Sequence, residues 1–173
     1  MKDDALPIVH LRAMEPEDLD TLYRIENDQQ LWNVGTTNVP YSRYTLHDYI
    51  ASSSGDIYID RQVRLIIENA SNQIVGIVDV TNFDPRHRRA EIGIVIEKPY
   101  RQCGYARSAL CGMHNYASRV LHLHQVYAVI DATNHEALSL FHDMGYRHTA
   151  VLEDWLYDGV SYNNAQLMQL KLL

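Results

Sequence analysis

The stretch EKPYRQCGYARSAL, residues 97–110, joins an apolar strand to a helix. Two positions near its centre, Gly104 and Ala106, carry almost no side chain. The unpaired N–H groups and the dipole of a helix N-terminus favour an anion, and glycine lets a ligand approach the backbone. The stretch therefore predicts a phosphate-binding turn, although a turn that needs glycine for its own geometry would explain the same residue.

The composition describes a globular chain with an acidic balance. Its 173 residues suit one domain spanning 1–173, with 46% hydrophobic and 21% charged residues. The formal net charge of −7 argues against a nucleic-acid partner, which needs a basic face, and is compatible with a cationic substrate such as an amine. We find neither a signal peptide nor an apolar span of membrane length, so we expect a cytoplasmic protein without a membrane partner.

The histidines and cysteines form no clear metal-binding or nucleophilic pattern. The pair His122 and His124 lacks a third ligand at useful spacing, so no metal is expected. Neither Cys103 nor Cys111 has an evident base beside it, so neither is expected to act as a nucleophile. We interpret Cys103 as a filler of the turn and Cys111 as a core residue of the following helix.

Hydrophobic periodicity and turn residues divide the chain into seven strands and four helices. The predicted strands are 8–14, 63–69, 74–81, 90–96, 125–131, 147–156 and 160–171. The predicted helices are 15–28, about 45–51, 104–120 and 134–146. Short polar links predict hairpins, and the strand–helix–strand unit at 90–131 predicts one parallel crossover. We expect an α/β (α+β) fold with a mixed, mostly antiparallel sheet of six to seven strands and helices on both faces.

Three motifs on these elements resemble the GNAT superfamily of acyl-CoA-dependent N-acetyltransferases. The turn 101–106, RQCGYA, is similar to the family's pyrophosphate loop. Asn134, Ala137-Leu138 and Met144-Gly145-Tyr146 are similar to a second family helix. The stretch HRRAEIGIVI, residues 87–96, looks like the bacterial spermidine or diamine N-acetyltransferase branch, and more loosely like the ribosomal-protein N-terminal acetyltransferases. The resemblance covers nearly the whole chain and implies a GNAT fold.

The resemblance also implies a binding site for acetyl-CoA as co-substrate. The residues expected to hold its pyrophosphate are Arg101, Gln102, Cys103, Gly104, Tyr105, Ala106 and Arg107. The fourth and fifth strands of the family splay apart, so the pantetheine arm is expected beside Ile94, Val95 and Ile96, which would also suit a plain core strand. Asn134 is expected to contact the coenzyme, although asparagine is equally a preferred helix N-cap.

Transfer of an acetyl group to an amine requires a neutral amine, a polarised carbonyl and a protonated leaving thiolate. A bound amine can attack directly, without a covalent enzyme intermediate. The candidate catalytic or amine-binding carboxylates are Glu91 and Asp79, because a carboxylate within an apolar strand needs a reason. An ion pair with Arg88 or Arg89, or an edge position in water, would provide a structural reason instead.

Two departures from the family leave the function open at this point. Phe141 stands where many members have a tyrosine that can protonate the thiolate, and no acid lies between Asn33 and Tyr44, where the spermidine branch has an acidic cluster. The acceptor is therefore a polyamine or diamine, another small amine or a peptide N-terminus. The alternatives are a non-catalytic acyl-CoA-binding protein and a purely structural module. The apolar end AQLMQLKLL, residues 165–173, is a candidate for pairing in a homodimer or higher homo-oligomer.

Overall fold

A computed structural model of the chain describes residues 5–29 and 39–172. Its strands are β1 (Val9–Ala13), β2 (Val63–Asn69), β3 (Ile74–Asp84), β4 (Arg89–Ile96), β5 (Gln125–Asp131), β6 (Arg147–Tyr157) and β7 (Tyr162–Lys171). Its helices are α1 (Leu19–Glu26), α2 (Arg43–Ala51), α3 (Ile57–Asp60), α4 (Tyr105–Arg119) and α5 (His135–Asp143), with 3-10 turns at Pro16–Asp18 and Lys98–Tyr100. All seven predicted strands are present, within a few residues of their predicted ends.

Local capping explains where the helices begin and end. The hydroxyl of Ser42 accepts a hydrogen bond from the Thr45 amide at the start of α2, which stabilises that end. After α5, Gly145 has φ +89°, so the predicted left-handed stop is confirmed. The four-residue helix α3 was not predicted, because one turn is too short to show a hydrophobic period. The irregular segment predicted at 29–44 lies largely outside the described residues.

The strands form one mixed sheet in the order β1-β2-β3-β4-β5-β7-β6. Its neighbouring strands are antiparallel except β4 and β5, which are parallel. The chain crosses from β4 to β5 through α4, as the strand–helix–strand pattern predicts. The expected mixed, mostly antiparallel sheet is therefore confirmed.

The C-terminal strand, a candidate for pairing across a homo-oligomer, is not an edge strand, and the homo-oligomer itself stays a prediction. Strand β7 lies between β5 and β6 and is antiparallel to both. Because both of its backbone edges are occupied within the chain, β7 offers no free edge for another copy. The edges of the sheet are β1 and β6.

Helices cover both faces of the sheet, as predicted. On one face, α4 and α5 pack their apolar side chains against β3, β4 and β5, with Leu110, Met113 and Phe141 in the same buried cluster as Val78 and Ile92. The opposite face has a smaller cluster of Ile25, Ile66 and Ile77 beneath α1. Within the described ranges, no helix has the length and apolar composition that a membrane crossing requires.

Candidate active site

Strand β4 is paired fully on one side and only briefly on the other. It pairs with β3 from Arg89 to Ile96, whereas it pairs with β5 only from Arg89 to Glu91. Beyond Glu91 the two parallel strands diverge, so a wedge opens in the sheet. The splay implied by the family resemblance is confirmed, and backbone groups of β4 on that side are left without a strand partner in the described part of the chain.

A cavity of about 440 Å³ lies at the C-terminal end of β4, on the α1 side of the sheet, where α1 and Ile74 of β3 also line it. Three residues expected to bind the coenzyme, Val95, Ile96 and Arg101, line it together. The Arg101 guanidinium donates from Nε to the Ile96 carbonyl oxygen at 3.0 Å, so its charge is held close to the end of β4. The structure thus brings part of the predicted pantetheine strand and the start of the predicted phosphate turn to one cavity.

The structural explanation left open for Gly104 holds. Gly104 has φ +84°, a left-handed value that favours glycine, and a Cβ there would lie 2.9 Å from Cδ of Pro7. The carbonyl oxygen of Pro7 also accepts a 2.7 Å hydrogen bond from the Ser108 hydroxyl. The segment before β1 therefore packs against the start of α4 and requires a small residue at 104. Binding of phosphate by the same turn stays a prediction.

The start of α4 presents backbone donors without a side-chain cap. Gly104 occupies the N-cap position and makes no capping hydrogen bond through a side chain, so the first-turn N–H groups are available to an anion. Gln102 has φ +59° and is exposed, and Tyr105 and Ala106 are half-buried. Arg107 is engaged elsewhere, because its guanidinium pairs with Asp143 and links α4 to α5.

The two cysteines and Asn134 occupy simple local positions. Cys103 and Cys111 are both free and exposed, so the expectation of a core position for Cys111 is wrong; α4 turns that side chain away from the sheet. The Asn134 Oδ1 accepts a 3.1 Å hydrogen bond from the Ala137 amide, so the N-cap explanation holds. Its Nδ2 group has no partner among the described residues and stays free for the predicted coenzyme contact.

Asp79 is tied into an ion-pair network on the α1 side of the sheet. The Arg64 guanidinium donates to its two carboxylate oxygens at 2.7 and 2.8 Å and also pairs with Glu26. Burial alone would lower the pKa of Arg64, but the hydrogen bonds and charge of Asp79 and the charge of Glu26 outweigh it and raise that pKa. Asp79 therefore lies in a compensated structural position.

The expected partner of Asp79 is wrong. Arg88 donates to the His122 carbonyl oxygen at 2.6 Å, and Arg89 pairs with Asp84 at 3.4 Å. Arg64 was missed, although the hairpin pattern contained it. Counting back from Asn69 and forward from Ile74 places Arg64 opposite Asp79, which is the observed register.

Glu91 differs from Asp79 because the described residues offer it no basic partner. Its Oε2 accepts a 2.8 Å hydrogen bond from Asn82 Nδ2. Across the sheet it is paired with Tyr127 of β5, the last pair before the strands diverge. Burial, followed by the charge of Glu91, raises the pKa of Tyr127, so this phenol is kept protonated at neutral pH.

Phe141 lies on the inner face of α5 and is 3% exposed. Its ring packs edge-on against Tyr146, with 4.8 Å between ring centroids. The Tyr146 hydroxyl lies 2.9 Å from His114 Nε2, and burial lowers the pKa of His114 to about 4. This buried pair was missed, because nothing in the spacing of residues 114 and 146 connects them. In the described part of the chain, no three His, Cys, Asp or Glu side chains are grouped as metal ligands.

Known proteins similar to this chain share one activity class. The sequence model of the acetyltransferase (GNAT) domain matches residues 9–147. The spermidine N(1)-acetyltransferase of Escherichia coli is 26% identical over 158 residues, which cover 91% of this chain and 82% of that protein. Its counterpart from Vibrio cholerae is 22% identical over 160 residues, covering 92% and 91%.

The fold is that of a solved acetyltransferase. The crystal structure of the spermidine N-acetyltransferase from Vibrio cholerae, in complex with CoA and spermine, superposes with a TM-score of 0.85 at 23% identity, covering 95% of each chain. None of these comparisons supports a non-catalytic acyl-CoA-binding protein. The domain match over most of the chain, together with the splayed β4–β5 pair and the turn at its mouth, shows that this chain belongs to the GNAT family and is an N-acetyltransferase.

Proposed function

We propose that this chain transfers the acetyl group of acetyl-CoA to a primary amine by direct attack of the amine on the thioester. The observation that carries the proposal is the wedge between β4 and β5, which opens beyond Glu91 towards the end of β4 that precedes the turn 101–106. The coenzyme enters at that turn, and the amine reaches the closed end of the wedge.

The coenzyme is held mostly by backbone groups. The N–H groups of 102–106 and the first turn of α4 bind the pyrophosphate, aided by the positive end of the helix dipole. The exposed Arg101 adds charge, whereas the charge of Arg107 is paired with Asp143. Backbone groups of Ile94, Val95 and Ile96 that face away from β3 pair with the pantetheine amides. The Asn134 Nδ2 group has no other partner among the described residues and donates a hydrogen bond to the coenzyme.

Glu91 orients the amine and accepts its proton, either directly or through one water molecule. Its carboxylate is half-buried, lies at the point where the wedge closes and has no basic partner in the described ranges. Asp79 is a poorer candidate for either role, because Arg64 already occupies both of its oxygens.

The leaving thiolate receives its proton from the product ammonium or from water. Phe141 has no proton to donate. The neighbouring residue Tyr146 is only 1% exposed, and its hydroxyl is hydrogen-bonded to His114. Protonation of the leaving thiolate therefore depends on the departing product and on solvent access to the wedge.

A polyamine is the first acceptor to test, because the Escherichia coli and Vibrio cholerae relatives carry spermidine in their names. The net charge of −7 favours a cationic acceptor of this kind. Small monoamines and peptide N-termini are the other classes that the site chemistry allows.

The decisive experiment measures thiol release from acetyl-CoA with spermidine, diamines, monoamines, amino acids, aminoglycosides and short peptides. We expect turnover with at least one amine, and calorimetry should show coenzyme A binding to the free protein. Coenzyme binding without turnover on any amine would contradict the acceptor assignment. The absence of both would contradict the whole proposal.

A further inference from the structure

Strand β3 has a bulge opposite the start of β4. Thr81 pairs with Glu91 and Asp84 pairs with Arg89, so Asn82 and Phe83 together face the single residue Ala90. Two residues opposite one define a β-bulge, which re-aims side chains locally. Asn82 has φ +49°, a left-handed value that asparagine tolerates better than most residues.

The bulge decides which face Asn82 lies on. Without it, strict alternation would point residue 82 towards the α4 face and residue 83 away from it. With it, Phe83 fills the core at 4% exposure, and the Asn82 amide reaches Glu91 Oε2 at 2.8 Å. Tyr127 of β5 is the cross-strand neighbour of Glu91. One amide thus links β3 to β4 beside Tyr127, at the closed end of the wedge.

The carboxylates around this cluster differ in how they are compensated. Asp79 and Glu26 are both held by Arg64, and Asp84 pairs with Arg89. Glu91 has a neutral amide as its partner instead. Among the described residues at the closed end of the wedge, Glu91 therefore carries the one negative charge without a basic partner.

We propose that Asn82 is a positioning and specificity-determining residue of the acceptor site, which fixes Glu91 beside Tyr127 for one amino group and limits the site to one negative charge. The proposal rests on the proposed function, because it assigns the amine to Glu91. A neutral amide at position 82 holds one oxygen of the carboxylate and leaves the other for the amine. This cluster then binds one ammonium group, and the other ammonium groups of a diamine or polyamine would lie outside it.

The test uses two substitutions and one matched control. Asn82→Gly keeps the left-handed backbone without the amide, and Asn82→Asp replaces the donor by a second carboxylate. Asn72→Gly is the control, because Asn72 has φ +58° in the β2–β3 turn, at the other end of the sheet. The acceptors are propylamine and 1,3-diaminopropane, which share a carbon chain and differ by one ammonium.

We expect Asn82→Gly to raise the KM for propylamine about tenfold, with the KM for acetyl-CoA unchanged within about twofold. Asn82→Asp should raise the kcat/KM ratio of diamine to monoamine about tenfold, because a second carboxylate can pair with the second ammonium. Asn72→Gly should change none of these values. An unchanged amine KM in a stably folded Asn82→Gly variant overturns the proposal.

A second readout does not depend on turnover. The side-chain amide resonances of Asn82, assigned by their loss in Asn82→Asp, should move in Glu91→Gln and again when propylamine is added to the wild type with coenzyme A. If the wild type acetylates no amine, the proposed function fails and this experiment still decides the positioning role. Resonances that respond to neither Glu91→Gln nor propylamine overturn that role.

Discussion

The two backbone edges of β4 differ in how far they are paired with a neighbouring strand, although the same eight residues form both edges. Towards β3 the strand is paired along its length, whereas towards β5 it is paired only from Arg89 to Glu91. The divergence does not come from an irregular β5, because β5 pairs without interruption with β7 from Gln125 to Asp131. Each of the two strands is instead held by an antiparallel neighbour, β4 by β3 and β5 by β7.

This difference separates two carboxylates of the same sheet face. Asp79 lies on the closed side, where Arg64 compensates it. Glu91 lies where the open side begins, where it has an amide partner. Position relative to the wedge, rather than residue type, therefore distinguishes the structural carboxylate Asp79 from the candidate catalytic carboxylate Glu91.

The strongest test of the open side is Glu91→Gln. We expect kcat to fall about a hundredfold, because a general base or amine-orienting group is typically worth that much. Coenzyme affinity and thermal midpoint should stay close to wild type, since the amide can still bond to Asn82. Steady-state kinetics and calorimetry measure both, and a normal kcat would remove Glu91 from the mechanism.

The matching change on the closed side, Asp79→Asn, should act on stability instead. It leaves Arg64 with Glu26 alone, so we expect the free energy of unfolding to drop by about 2 kcal/mol. Urea denaturation measures the loss, and a double-mutant cycle with Arg64→Met should show coupling between the two sites. A large loss of kcat without a loss of stability would place Asp79 in the reaction.

The mouth of the wedge is tested by Ala106→Glu, with Ala106→Gln as control of similar size. A carboxylate in the first turn suits the helix dipole but repels a bound pyrophosphate. We expect the dissociation constant for coenzyme A to rise about tenfold in the Glu variant and much less in the Gln variant. Equal affinities for coenzyme A in the two variants would contradict phosphate binding at this turn. Gly104 is less informative, because Pro7 also requires its small size.

The partly buried pair of His114 and Tyr146, next to Phe141, predicts a pH effect on stability. The pKa of His114 is lowered to about 4 in the folded protein by burial, so the unfolded chain binds more protons between that value and about 6.5. Stability should therefore fall as the pH drops from 7 to 5, by about 1 kcal/mol from this group after allowance for its exposed part. Denaturation of His114→Gln at both pH values should show a shallower loss, and the exposed-site control His142→Gln should not.

The smallest expected effect is that of Phe141→Tyr, on the α5 side of the wedge. A hydroxyl near the leaving sulfur should raise kcat about threefold with little change in the KM for acetyl-CoA. If the hydroxyl is buried without a partner, it should cost about 1–3 kcal/mol of stability instead. Activity would then fall as well. An unchanged kcat in a stable variant would show that residue 141 is not beside the sulfur, or that thiolate protonation does not limit the rate.

Sequence patterns predicted the elements better than the partners of individual side chains. Alternating and helical periods located every strand and the long helix α4, because those periods reflect burial of one face. The pairing of Arg64 with Asp79 could have been predicted by counting residues along the two strands of the β2–β3 hairpin. The contacts of Asn82 and of His114 could not be predicted, because a bulge breaks the alternation in one case and α4 meets the residue between α5 and β6 in the other.

The sequence by itself determined the order of the strands and the four longer helices, the parallel crossover, the left-handed stop at Gly145 and the family to which the chain belongs. Each of these depends on local spacing or on a contiguous motif. Tertiary structure alone decided that β7 is internal, that His114 meets Tyr146, and that the bulge turns Asn82 towards Glu91. These features depend on which distant segments become neighbours and on which face of the sheet a side chain lies. The amino-acid sequence does not specify these two properties at places where the strand register shifts.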